Sequence, residues 1–405
     1  MNFWSRVGGR MVRVYKIKNT LKPGKTIKSV AAEITAGATT DEEKVRKLFD
    51  FCKNKIKNID YDTEMTDEEK DKIKINLKDS KTYKTHQGRS YEINKLFASL
   101  ADAAGFETRI AFTGDRSKLF FNPKKAHESF IHMAGVAIKL NNHWKYFDPG
   151  SKFLPYGRLA WFEESSSVFL LAYKDYITTE TPLSNYKDSL EKRTGRFTLL
   201  EDGTLEGDVE IEYTGHLSFN YKMNNYDSSK NAREEFLKNR IKKRMSTAEI
   251  SNIQIENLND PEKPFTYKYK IKVPNYAQKT GKRLFIQPSF FQYGASPRFS
   301  SSTRKHDIYF KFPWSEKDDI QITLPEGYEL DNADTPQPLR DRSVISTHTV
   351  TIKIDNKNNK LIFNRDFYFG NRNMILFRAK TYPAIKGLFD AFHKADTHTI
   401  TLKKQ

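Results

Sequence analysis

The chain has almost no cysteine: Cys52 is the only one among 405 residues. Disulfides within the chain are thereby excluded, and so is a zinc centre built on several cysteines. No apolar run approaches the roughly 20 residues that a membrane-crossing helix requires. The first 20 residues carry basic side chains but no apolar stretch of roughly 7–15 residues such as a secretory leader needs. A cytoplasmic protein fits this pattern, as does a cell-envelope or periplasmic protein whose true start lies outside this reading frame. A glycine-rich phosphate loop is lacking, since Gly8-Gly9 stands alone. His127 with Glu128, and His86 with His132 or His143, come nearest to a metal site, yet none has helical i, i+4 ligand spacing. No metal and no cofactor are expected.

What is present is aromatic and basic. Twenty-nine Phe, 20 Tyr and 4 Trp supply bulky core material although only 37% of residues are hydrophobic, so the chain is expected to fold. Lys and Arg total 69 against 51 Asp and Glu, a formal charge of +18. The excess is spread evenly: residues 1–186 hold 32 basic and 23 acidic side chains, and residues 187–405 hold 37 and 28. Eight Lys or Arg and no acid fall in the first 30 residues, scattered among Val, Ile and Tyr as on a solvated strand face. No nucleic-acid motif accompanies the charge, so a basic solvated surface is the expectation and binding of an anionic polymer the alternative.

The length calls for two or three domains. Residues 1–40 read as one or two strands and a Thr-rich linker. Thr40-Asp41-Glu42-Glu43 then starts a helix as a capping box, with Val45, Leu48, Phe49, Cys52 and Ile56 recurring at helical spacing, which makes Cys52 a small core residue. Thr66-Asp67-Glu68-Glu69 is a second such start. A helix from Ser90 with Ile93, Leu96, Phe97, Leu100 and Ala104 on one face ends at Gly105, and strands follow near residues 108–113, 130–140 and 143–147 before the turn Asp148-Pro149-Gly150. A helix followed by antiparallel strands indicates an α+β domain over residues 41–186. From 187 to 405 short alternating stretches indicate a mostly β domain, expected as a β-sandwich, with helices at Asn231–Arg244 and Ala384–Lys394.

The chemistry is concentrated in Gln87-Gly88-Arg89-Ser90-Tyr91 and its continuation through Leu96-Phe97 to Ala103-x-Gly105-x-x-x-Arg109. Farther on come His132 at the head of a strand and Trp144-x-x-x-Asp148-Pro149 at the close of the next. These spacings resemble the transglutaminase-like (papain-type) superfamily, whose pattern has a nucleophilic Cys where Ser90 stands. The resemblance extends through Asn94, Lys152–Gly157 and Leu159-Ala160-Trp161. Asp319-Ile320-Gln321-Ile322-Thr323-Leu324-Pro325-Glu326-Gly327-Tyr328 is similar to an element of the domain of unknown function that follows in a bacterial group of larger proteins.

The resemblance implies a triad of Ser90, His132 and Asp148, with Trp144, Tyr91 and Gln87 lining a substrate cleft. Placement at a helix start serves a thiolate, because the helix end and an adjacent imidazolium both lower a thiol pKa, and Asp148 would fix the ring tautomer of His132. A hydroxyl gains no such ionisation and needs a base during attack. Serine is also a favoured N-cap residue, so a capping role is expected of Ser90. The resulting expectation is a noncatalytic, pseudoenzyme domain that binds a peptide, protein or glycan in the degenerate cleft. A Ser-His-Asp amide or ester hydrolase, or an acyltransferase, is the alternative.

Overall fold

The computed structural model describes residues 3–76, 78–124, 127–332, 334–341, 343–371 and 374–405. They group into two compact units, one of residues 1–183 with 259–262 and the other of 184–258 with 263–405.

The first unit starts with helices, not the strands that its Val, Ile and Tyr content suggests. Helices α1 (Phe3–Val14), α2 (Ile17–Thr20) and α3 (Lys25–Thr35) run through the segment read as strand and linker. The physical reason is burial: Val7, Met11, Ile17, Ile27, Val30 and Ala31 recur at helical intervals and enter one core, and that packing overrides β propensity. Helix α4 (Asp41–Lys55) has the expected capping box of Thr40 and Glu43 and buries Val45, Leu48, Phe49 and Cys52. After strand β1 (Lys57–Asn58), helix α5 (Asp67–Lys72) has the same box from Thr66 and Glu69. Helix α6 (Asp79–Thr85) and strand β2 (Gln87–Gly88) lead into α7 (Ser90–Ala103), and Gly105 ends it at φ 94°.

Strands β3 (Thr108–Thr113), β4 (His132–Leu140), β5 (His143–Phe147), β6 (Ser167–Leu171) and β7 (Tyr176–Glu180) form an antiparallel sheet in the order β5-β4-β3-β6-β7. Ile110, Phe112, Val136, Ile138 and Phe147 face the helices, where they meet Ile93, Leu96, Phe97 and Leu100 of α7 and Phe49 of α4. Ala111, Ala137, Tyr146, Val168 and Leu170 cover the other face. Helix α7 therefore lies in the middle of the core with its first turn at the surface.

In the second unit eight strands form one sheet, in spatial order Glu249–Glu256, Phe265–Val273, Leu205–Tyr213, Leu190–Leu199, Trp314–Thr323, Lys360–Phe369, Ser346–Asp355 and Leu339–Arg340. All neighbours are antiparallel except Leu190–Leu199 with Trp314–Thr323, which run parallel. A four-stranded sheet includes Arg283–Ile286 and Ile400–Lys404. The two helices read from the sequence appear as Lys230–Lys242 and Tyr382–Asp396. Leu237 and Ile241 of the first are buried, whereas Phe236 is 52% exposed. A further helix, Gly215–Met223, was not legible, because its residues show no one-sided apolar stripe.

One face of the large sheet buries charge. Arg193 donates to Asp318 and Glu316, Arg365 donates to Glu316 and Asp396, and His348 Nε2 lies 2.7 Å from Asp396. Arg193 and Asp318 are cross-strand partners, as are Asp318 and Arg365. Register alone thus sets opposite charges side by side.

Candidate active site

Ser90 opens α7 at the first helical position, one residue inside the N-cap, which is Arg89. Its side chain therefore does not cap the helix, contrary to the expectation from its residue type. Two acids take over that work. The backbone N–H of Ser90 donates to Asp60 Oδ2 at 2.8 Å, and the N–H of Arg89 donates to Glu92 Oε2 at 2.8 Å. Both carboxylates also complement the positive end of the helix. Ser90 Oγ accepts from Asn58 Nδ2 at 3.1 Å, and the same amide donates to the carbonyl of Gly150.

The turn that carries Asp148 is locked onto α7. Asn94, one turn along the helix, accepts the N–H of Gly150 at 2.8 Å through Oδ1 and donates to Asp148 Oδ1 at 2.8 Å through Nδ2. Gly150 lies so close that a Cβ there would stand 2.2 Å from the Ser90 carbonyl oxygen, which explains glycine after Asp148-Pro149. Burial pushes the Asp148 carboxyl up, opposed by Asn94 and by the nearby Lys53 ammonium. Lys53 is itself pushed down to about 8 by burial, and it donates to the carbonyl oxygens of Ser151 and Leu154.

His132 is held by a different acid from the expected one. Its Nε2 lies 2.9 Å from Glu163 Oε1, and Glu163 also accepts the N–H of Ala160. Burial acts to lower the ring pKa, but the bond and charge of Glu163 outweigh it and the net direction is upward. Glu163 is pushed up to about 7 by burial, with the Asp148 charge adding to the rise and His132 opposing it. His132, Asp148 and Glu163 are therefore within electrostatic reach of one another. Among the described residues no hydrogen bond joins Ser90 to His132 or His132 to Asp148.

The other expected residues divide. Tyr91 is half-buried beside Ser90, and burial pushes its phenol up to about 12. Gln87 is exposed on β2, paired with Lys57 of β1. Trp144 is not brought to Ser90. It packs with Ala111, Ala137 and Tyr146 on the sheet face turned away from α7, and the guanidinium of Arg109 lies 5.8 Å from its ring. Alternation along β5 decides this, because Phe147 faces the helix and Trp144, three residues earlier, must face the other way. Cys52 is fully buried, and burial pushes its thiol up, as its place on the α4 stripe implied.

Asn58, Asp60, Lys53 and Glu163 were missed. Asn58 and Asp60 follow the end of α4 in a two-residue strand and a single helical turn too short to show periodicity, and Glu163 sits in the loop after Trp161. The chemistry that this set supports is limited. A nucleophile needs a base within reach, and an oxyanion needs free N–H donors at its position. Here the Ser90 N–H is already engaged by a carboxylate and the imidazole is paired elsewhere.

Residues 28–149 match the transglutaminase-like superfamily, and residues 282–402 match a domain of unknown function with a solved structure, DUF3858. Among solved structures, a "putative protease" from Parabacteroides distasonis ATCC 8503 is similar at 13% identity and a TM-score of 0.49, with 98% of this chain and 58% of that chain covered. The chain thus spans somewhat over half the length of that structure's chain. No functionally curated protein matches it.

Proposed function

The chain carries a transglutaminase-like superfamily domain followed by a DUF3858 domain, and from that premise we propose that the first domain is a noncatalytic binding module that takes an extended peptide beside Ser90. The observation that carries this reading is the pair of bonds at Ser90. Its N–H is held by Asp60 and its Oγ accepts from Asn58, while His132 is held by Glu163. Attack by Ser90 would require a base within reach of its hydroxyl, and an oxyanion could use the Ser90 N–H only by displacing Asp60, a partly buried bond to a carboxylate worth on the order of 1 kcal/mol or more.

A Ser-His-Asp hydrolase or acyltransferase has all three residue types but lacks the contacts that make them act together. The test is labelling with a fluorophosphonate probe together with turnover of amide and ester substrates. The binding reading expects neither labelling nor turnover that depends on Ser90. Turnover abolished by Ser90→Ala would overturn it.

A further inference from the structure

The segment that contacts Ser90 also walls a cleft of about 650 Å³, lined by the end of α4, by β1 and by the residues after it, with Ile93 and Pro149 contributing apolar surface. Asn58 belongs to this lining, and its amide bonds Ser90 Oγ, so the cleft reaches the nucleophile position through one side chain. Its charge is one-sided. Lys53, Lys55, Lys57 and Lys152 line it with His86, against Asp62 and Glu64.

The acids do not balance the lysines. Asp62 is already paired, with Lys57 Nζ 2.6 Å from its carboxylate. Lys55 is exposed and has no hydrogen-bond or ion-pair partner among the described residues. Burial lowers the pKa of Lys152, whose ammonium a nearby anion would therefore favour, whereas Lys53 is already held by the Ser151 and Leu154 carbonyls and by the charges of Asp148 and Glu262. The negative C-terminal end of α4 explains a basic preference at Lys53 and Lys55, but Lys57 and Lys152 lie beyond that helix.

The lining also discriminates among anions. It has lysines and no arginine, so it lacks the planar fork that grips phosphate or sulfate in two places. Tyr61 is its single Phe, Tyr or Trp, which leaves little surface for stacking sugar rings. Point charges together with the apolar Ile93 and Pro149 suit spaced carboxylates on an extended backbone.

We infer that this cleft binds an extended peptide segment rich in Asp and Glu. The inference rests on the binding reading above and narrows it to one ligand class. Lys55 and Lys152 meet carboxylates along the groove, Ile93 and Pro149 take an apolar side chain, and Asn58 marks the end nearest Ser90.

Fluorescence anisotropy on the full chain tests it with two fluorescein-labelled dodecapeptides, a Glu-Gly repeat and the matching Gln-Gly repeat, and with a heparin hexasaccharide. The Glu-Gly peptide is expected to bind more tightly than the Gln-Gly peptide, and Lys55→Glu with Lys152→Glu is expected to weaken it about tenfold. The same charge change at Lys242→Glu with Lys243→Glu, on the second unit, should shift it less than twofold. Should the first pair unfold the chain by circular dichroism, Lys55→Glu alone carries the test, with about threefold weakening expected. Equal binding of both peptides, unchanged by the lysine variants, would overturn the acidic ligand and leave the binding reading standing. Tighter binding of the hexasaccharide, or equal loss in the Lys242 and Lys243 control, would also overturn it. Binding of neither peptide would remove the inference and the peptide reading together.

Discussion

The backbone N–H of Ser90 donates to the carboxylate of Asp60 across 30 residues of sequence, at 2.8 Å. A helix start, where a thiolate would be favoured, thus has a carboxylate at its first amide. Introducing a cysteine there alone should therefore not produce an activated thiol. In Ser90→Cys the new thiol should ionise no more readily than an ordinary thiol of about 8.5, and adding Asp60→Asn should lower its pKa by up to about one unit, since a helix end contributes roughly 0.3–1 kcal/mol. The pH dependence of alkylation by iodoacetamide reads both values. Cys52 provides the internal reference: buried, it should remain unreactive until the chain is denatured.

Asn94 holds both ends of the Asp148 turn. Asn94→Ala leaves the buried Gly150 N–H without its partner and the Asp148 carboxyl with only the Ser151 N–H, and should cost about 1–3 kcal/mol for the one orphaned group. Gly150→Ala should cost at least as much, because its Cβ meets backbone that cannot swing aside. Urea unfolding of the two variants measures this. A loss below about 0.5 kcal/mol in both would mean that the turn is not locked to the helix.

The pair of His132 and Glu163 links stability to pH. Both have folded-state pKa values raised above their ordinary ones. Stability from a raised group is fully present below its unfolded pKa and is lost as pH rises through the folded one. For Glu163 that window runs from its ordinary 4.5 up to about 7. Glu163→Gln has no carboxyl to ionise, so its melting temperature relative to the unsubstituted chain should rise between pH 5 and pH 8. Several degrees are expected at about 2–4 °C per kcal/mol. A constant difference across that range would show that Glu163 stays ionised throughout.

Acid acts oppositely on the second unit. Glu316 is partly buried, and although burial acts to raise its carboxyl, Arg365 and Arg193 bring it down to about 2. A depressed carboxylate contributes stability above its ordinary 4.5 that disappears as pH falls toward 2. Glu316→Gln should flatten the acid side of the stability curve. Arg365→Ala removes one buried partner from both Glu316 and Asp396, which keep Arg193 and His348 respectively, and should cost up to about 3–5 kcal/mol near neutrality, whereas the double variant Arg365→Met with Asp396→Leu should recover part of that. Thermal melts from pH 3 to pH 7 separate these outcomes.

Local chemistry settled much of this protein before any folding was considered. The apolar spacing of Val45, Leu48, Phe49 and Cys52, and of Ile93, Leu96, Phe97 and Leu100, specifies two buried helix faces, and Thr40 with Glu43 specifies where one starts. Residue type alone put a hydroxyl at position 90, with Asp148 in a turn beside it. Those features depend on neighbours three or four residues away, which the backbone period fixes.

What surrounds Ser90 was decided by tertiary structure. Asp60 reaches it across 30 residues, Asn94 reaches Asp148 across 54, and Glu163 reaches His132 across 31, and in each pair one member lies on a short turn or loop whose path no periodicity describes. Phe3–Val14, Ile17–Thr20 and Lys25–Thr35 became helical because a shared core rewarded one face of each helix, although their β-branched residues alone favour strands. Hydrogen-bond partners separated by loops are selected by where the loops come to rest. For that reason the identity of the helix was readable at Ser90, while the state of its N–H and its hydroxyl was not.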